Sequence, residues 1–227
     1  MPEHEPAPLV VAIDGPAGSG KSTLAKRLAD ELGWAFLDTG AMYRAVTLAA
    51  LERGQSLDDA AAMAALARAL RIDLSASGTL RVDGADVTSR IRSAEVNAAV
   101  SGVAEIAEVR AVMRAHQRRF AQENRRIVAE GRDIGTNVFP DAAVKVFLVG
   151  SEDERVRRRV AEMRRTTPDL DPAAVRESLL ERDRRDENRR ADPLRQAPDA
   201  VALDTTGLSP DEVLGRVLTL VRSRVPL

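Results

Sequence analysis

Nine residues near the start of the chain carry the clearest chemistry. Gly15, Pro16, Ala17, Gly18, Ser19, Gly20, Lys21 and Ser22 fit the spacing G-x-x-x-x-G-K-[ST], and Thr23 follows at once. Glycines at this spacing let backbone N–H groups wrap phosphates. The lysine supplies a point charge, and the serine hydroxyl can reach a magnesium ion. A glycine-rich turn alone would mean little, so the reading depends on its context: a strand before it and a helix after it.

Both are present in the pattern. Leu9 to Ile13 is an unbroken apolar run, as expected for a strand buried on both faces. From Lys21, leucines recur at positions 24, 28 and 32, and Gly33 sits where a left-handed C-terminal cap belongs. The helix N-terminus then adds its positive potential to the phosphate cradle. A nucleoside triphosphate is the expected ligand.

Further strands are predicted at Trp34 to Leu37, Ile127 to Ala129, Val144 to Val149 and Val201 to Leu203, mostly separated by helical patterns. Alternation of this kind predicts an α/β fold: a five-stranded parallel sheet between two layers of helices. The last helix is signed by a capping box, Ser209 with Glu212 around Pro210, and by an apolar stripe of Leu214, Val217, Leu218 and Val221.

Two stretches break the alternation. Residues 58–119 read as an insertion, with an alanine-rich helix from Asp58 to Leu70 and short antiparallel strands around the turns at Gly78 and Asp83-Gly84. A long helical segment then runs from Ala94 to Asn124. Residues 151–171 are arginine-dense and end in a turn-rich loop before a helix capped by Asp171-Pro172, the pattern of a lid. The remaining segments, 9–57, 120–150 and 172–227, form the core, and residues 1–8 a flexible tail.

Bulk composition narrows the function. The chain has 227 residues, 34 Lys plus Arg against 35 Asp plus Glu, no cysteine and two histidines. Near-zero net charge gives no field for a polyanion, and aromatics at 3% are too few for a base-stacking platform, so no nucleic-acid partner is expected. Without cysteine there is no disulfide or thiolate chemistry. The acidic, proline-rich start is not a signal peptide, and no stretch has the length and apolarity of a membrane span. These features predict a cytoplasmic monomer.

Arginines gather instead in local clusters. Arg44 follows the second strand within Asp38 to Arg44, Arg132 and Asp133 follow the third, and Arg182, Asp186 and Arg189 are spaced to share one helix stripe. By itself that stripe reads as a solvated ion-pair ladder. Beside a phosphate loop, the clusters together suit phosphoryl transfer, which needs positioning and charge neutralisation. A guanine-reading Asn-Lys-x-Asp is absent, which argues against a GTPase switch.

The segments GPAGSGKST, LDTGAMYR, Val100-Ser101 with Val109-Arg110, EGRDIGTNVFPDA and RDRRDENRRADPL, in this order, resemble the bacterial cytidylate kinase family. The resemblance implies a phosphate-loop kinase fold with a CMP-binding insertion at 58–119 and a helical lid at 151–171. It implies ATP with Mg2+ as donor, CMP or dCMP as acceptor, and Ser22 as the metal-facing residue. Lys21, Arg132 and Arg189 would act on the transferring phosphate with Arg158 and Arg159 from the lid. CMP would be held by Thr39, Arg44, Ser101, Arg110, Arg132, Asp133, Arg182, Asp186 and Arg189. Gly102 stands where the family commonly has glutamine, which should loosen that helix.

Chemistry agrees with base reading at Arg110, Asp133 and Ser101. Cytosine offers an acceptor at N3 and an amino donor at N4, and uracil reverses both; mispaired polar groups can discriminate by up to ~10⁴-fold. The magnesium-orienting acid stays open among Asp14, Asp38 and Asp133. Tyr43, Trp34 and Phe36 read as packing residues, and His116 as solvent-facing. Kinases of adenylate, uridylate or shikimate, and a non-catalytic ATP-binding module, are the competing readings.

Overall fold

The computed structural model describes residues 7–164 and 168–225. Expectations for residues 1–6, which make up most of the tail, and for 165–167 in the lid loop lie outside the described residues.

Five parallel strands form the main sheet: β1 (Leu9–Asp14), β2 (Ala35–Asp38), β6 (Arg126–Gly131), β7 (Val144–Val149) and β8 (Val201–Asp204), in the order β2-β6-β1-β7-β8. β1 lies in the middle and pairs with β6 from Leu9 opposite Arg126 to Asp14 opposite Gly131, and with β7 from Val11 opposite Val144. Both faces of β1 are covered, which is why its sequence runs apolar without alternation. Val11, Ala12 and Ile13 are fully buried.

Helices cover the two faces. α1 (Lys21–Leu32) and α8 (Pro210–Arg224) pack on one face around Leu24, Leu28, Val146, Leu148, Val217 and Val221. The capping box at Ser209 and Glu212 forms as expected. The other face carries α2 (Thr39–Glu52), α3 (Ala60–Ala69), α4 (Ala94–Glu105) and α5 (Ala107–Asn124), in one continuous cluster with Leu37, Ile127 and Ala129. Burial of each such Leu or Ile is worth about 2 kcal/mol, so these helices are bound to the sheet rather than hung from it.

Short strands β3 (Ile72–Leu74), β4 (Leu80–Val82) and β5 (Ala85–Asp86) make a small antiparallel sheet. α6 (Glu152–Met163) and α7 (Pro172–Asn188) pack on each other beyond β7.

The single helical segment expected over Ala94 to Asn124 is two helices. Ile106 adopts an extended conformation (ψ 112°) and ends α4, although neither proline nor glycine stands at the break. Tertiary packing overrides propensity here. Gly102 does not break α4; the break comes four residues later.

Two glycines fix the phosphate loop against its surroundings. A Cβ on Gly15 (φ 147°) would lie 2.3 Å from the Leu148 carbonyl oxygen, and one on Gly18 (φ 72°) would lie 2.8 Å from that of Arg155. No other residue type allows both the backbone angle and the close approach.

Candidate active site

The loop after β1 arrives at the C-terminal edge of the sheet, where ligands of parallel sheets bind. Gly20 precedes α1 in a left-handed conformation and gives no side-chain cap, so the first N–H groups of α1 are open to an anion. Lys21 is buried and donates to the Pro16 carbonyl at 2.6 Å and to Ser19 Oγ at 3.3 Å. Burial, and then the nearby Arg132, press its pKa below the ordinary lysine value, against the pull of Glu130.

Ser22 donates its hydroxyl to Glu130 Oε1 at 2.7 Å. Glu130 is buried at the end of β6, and burial, with Asp38 nearby, raises its pKa while Lys21 opposes the rise. The three acids considered from sequence are all engaged elsewhere. Asp14 accepts the N–H groups of Ile134 and Gly135 at 2.8 and 2.7 Å; burial still lifts its pKa to about 6. Asp38 caps α2 through the Ala41 N–H, and Asp133 holds arginines. Sequence reasoning passed over Glu130, although it opens the segment EGRDIGTNVFPDA directly before Gly131-Arg132-Asp133.

Ala17 is turned away from the cradle. Its N–H donates to Asp183 Oδ1 at 2.8 Å and its carbonyl accepts from Arg155 at 2.9 Å, while Arg155 and Asp183 form an ion pair. Both residues are buried, at 8% and 6% exposure. Neither was singled out in the sequence, although Asp183 lies three residues before Asp186 on α7. Arg158 spans from Glu154 to Thr205, donating to the Thr205 carbonyl at 2.6 Å, and its guanidinium comes within 3.5 Å of the Ser19 carbonyl. Arg159 pairs with Glu162 on the same helix.

Opposite the loop lies a second basic wall. Arg44, on α2, is held by Asn97 Oδ1 at 2.6 Å and the Ile91 carbonyl at 3.1 Å. Thr39 donates to the Glu130 carbonyl at 2.7 Å. Arg132 pairs with Asp186 at 2.8 Å rather than with its neighbour Asp133. Asp133 instead receives Arg110 at 2.7 Å and Arg189 at 3.2 Å. Arg110 is buried rather than on the surface. Its second terminal nitrogen donates to the Ala104 carbonyl, three residues past Ser101, and its guanidinium lies 5.5 Å over the Tyr43 ring. Tyr43, expected only as packing, therefore also floors this corner; Trp34 and Phe36 are core residues.

Like charges crowd in this space. Burial, then Arg132, lowers Arg182 to about 10, with Arg44 and Arg159 adding to the effect. Arg44 is lowered to about 10 by burial and then by Arg92, Arg159 and Arg132. His116, expected in solvent, is half-buried in a groove between α3 and α5, six residues beyond Arg110 on the same helix.

Similarity to known proteins agrees with the geometry. The chain is 51% identical over 219 residues to a cytidylate kinase of Solibacter usitatus, covering 96% of this chain and 94% of that one. It is 46% identical over 223 residues to a bifunctional pantoate ligase/cytidylate kinase of Synechococcus, covering 96% of this chain and spanning 43% of that longer protein. A crystal structure of an uncharacterized protein from Eubacterium ventriosum shares the fold, with a TM-score of 0.56 over 95% of this chain and 99% of that one at 13% identity. A profile of the family described as cytidylate kinase runs from residue 11 to residue 223, from the first strand into the last helix, and the chain belongs to that family.

Proposed function

We propose that this chain transfers the γ-phosphoryl group of ATP to CMP, and to dCMP, giving ADP and CDP or dCDP. A phosphate oxygen of the acceptor attacks the γ-phosphorus, and the bond to the β–γ bridging oxygen breaks in line with it. No general base is required, because the acceptor's phosphate monoester, with a second pKa near 6, is already largely dianionic at neutral pH.

One observation carries the reading. Lys21, Arg44 and Arg182 are held below their ordinary pKa values by burial and then by neighbouring arginines, Arg132 among them in all three cases, beside a loop built for phosphate. Such repulsion is relieved by anions bound between them, and a triphosphate meeting a monophosphate supplies that charge.

The other roles follow from position. The loop from Gly15 to Thr23 and the open end of α1 hold the donor, with Lys21 on its phosphates and Arg158 alongside. Arg44, Arg132 and Arg189 take the acceptor phosphate, Arg182 and Asp186 the ribose, and Ser101, Arg110 and Asp133 the base. Residues 58–119 form the acceptor-binding insertion, and 151–171 a lid whose closure excludes water from the transferring group.

Ser22 and Glu130 present hard oxygen donors and fit Mg2+; Ser22 would hold it and Glu130 orient Ser22. Bound there with the triphosphate, the ion would supply further charge neutralisation. No described helix is long and apolar enough to cross a membrane. The proposal places a monomeric enzyme in the cytoplasm with its nucleotides.

ADP formation with each nucleoside monophosphate in turn tests the reading. CMP and dCMP should stimulate turnover far above UMP and AMP. No stimulation by CMP, or a preference for AMP, would overturn it.

A further inference from the structure

Arg110 lies in α5 and Arg189 caps the C-terminal end of α7, and a single residue outside both helices holds each of them. Asp192 lies in the loop after α7. Its Oδ2 accepts from Arg110 Nε at 2.9 Å and approaches Arg114 at 3.6 Å, while its backbone carbonyl accepts from Arg189 Nε at 2.6 Å. Asp133 closes the other side by receiving Arg110 and Arg189. The four residues form a ring in which each arginine is gripped at both its Nε and a terminal nitrogen.

The backbone of Asp192 shows that this placement has a cost. It takes φ 50°, uncommon for any residue but glycine, and it does so directly before Pro193, where the backbone is already restricted. Next to it, the Leu194 N–H donates to the Asp186 carbonyl at 2.7 Å and ties the loop back to α7. A strained residue persists when its surroundings over-determine it, and such residues cluster at ligand-binding sites. Here the strained turn is what aims one carboxylate at α5 and one carbonyl at α7.

A planar guanidinium bound at Nε by one carboxylate and at a terminal nitrogen by another cannot rotate about its bond to the chain. Without Asp192 the Nε edge of Arg110 would be open, and the guanidinium would be held only through its terminal nitrogens, by Asp133 and the Ala104 carbonyl; Asp192 secures the third edge. We propose that Asp192 is a positioning residue for base selection: it fixes the plane of the Arg110 guanidinium, and with it the directions in which Arg110 presents N–H groups to the acceptor's base. The proposal deepens the reading of Arg110 as a base-facing residue and rests on that reading. Asp192 itself need not touch the nucleotide.

Asp192→Asn is the informative variant. Asparagine tolerates the left-handed backbone as aspartate does and keeps the carbonyl for Arg189, so only the carboxylate charge is lost. Steady-state kinetics with CMP and UMP, and with ATP varied, should show the CMP to UMP ratio of kcat/KM falling about tenfold, chiefly through KM for CMP, with KM for ATP within about twofold. The combined variant Arg110→Met with Asp192→Asn should lose no more selectivity than Arg110→Met alone, since Asp192 acts through Arg110. A wild-type CMP to UMP ratio in Asp192→Asn, or losses that add in the combined variant, would overturn the assignment. A general loosening of the fold would raise KM for ATP in parallel, and that result also counts against it. Failure of the underlying reading is distinct: Arg110→Met would then keep the wild-type CMP to UMP ratio, or the unaltered protein would show no turnover stimulated by CMP.

Discussion

Asp183 and Ala17 are 166 positions apart, and the carboxylate of one accepts the backbone N–H of the other at 2.8 Å. Through this bond, and the Arg155 bond to the Ala17 carbonyl, the donor loop is anchored to α7, the same helix that carries Arg182 and Asp186 toward the acceptor. Asp183→Ala should raise KM for ATP about tenfold with a smaller effect on KM for CMP. Leaving Arg155 buried without its partner should also cost about 3 kcal/mol of stability. Nucleotide titrations and thermal melts read the two effects separately, and a wild-type KM for ATP would show that the loop holds its shape unaided.

Lys21 should take up a proton when ATP binds. In the free protein burial and the neighbouring Arg132 hold its pKa below the ordinary value; triphosphate charge beside it favours the ammonium and raises the pKa. Between the free and bound values, binding therefore draws a proton from solvent, and kcat/KM for ATP falls as pH rises through the free value. Calorimetry at about pH 8 in buffers of different ionisation enthalpy measures the uptake. It should vanish in Lys21→Arg, whose side chain stays charged throughout.

Replacing Glu130 by Gln keeps a partner for the Ser22 hydroxyl and removes the carboxylate. The Mg2+ concentration needed for half-maximal ATP binding should rise about tenfold, as for other residues that orient metal-facing groups. Equilibrium binding of ATP across a Mg2+ series checks this without reference to turnover. An unchanged curve would leave Ser22 free of any need for Glu130.

Arg110→Met should narrow the preference for CMP over UMP by at least tenfold, because N–H groups that distinguish the two bases are replaced by apolar surface. It also leaves the Asp133 carboxylate with Arg189 as its remaining arginine. Unchanged relative kcat/KM for the two acceptors would remove Arg110 from base reading.

Much of this protein was legible in one dimension. The donor loop is a contiguous motif whose flanking strand and helix are written in adjacent residues, and a parallel sheet follows from strands alternating with helices. The cap of α8 and the small antiparallel sheet are set by local turn and capping chemistry. Such features depend on near neighbours, so residue type and spacing determine them.

The partners of the charged side chains did not lie in the sequence. Arg132 follows β6 next to Asp133, yet it bonds Asp186, 54 positions away, while Asp133 bonds Arg110 and Arg189. Glu130, Asp183 and Asp192 lie inside recognisable segments but carry no role that spacing could assign, Arg155 lies in none of them, and the break at Ile106 has no proline or glycine to announce it. Sequence alone determined the kind of sheet and the place of the phosphate loop. Only the tertiary structure decided which carboxylate holds which arginine, because burial makes an unpaired charge costly and pairs are chosen by what packing brings together in space.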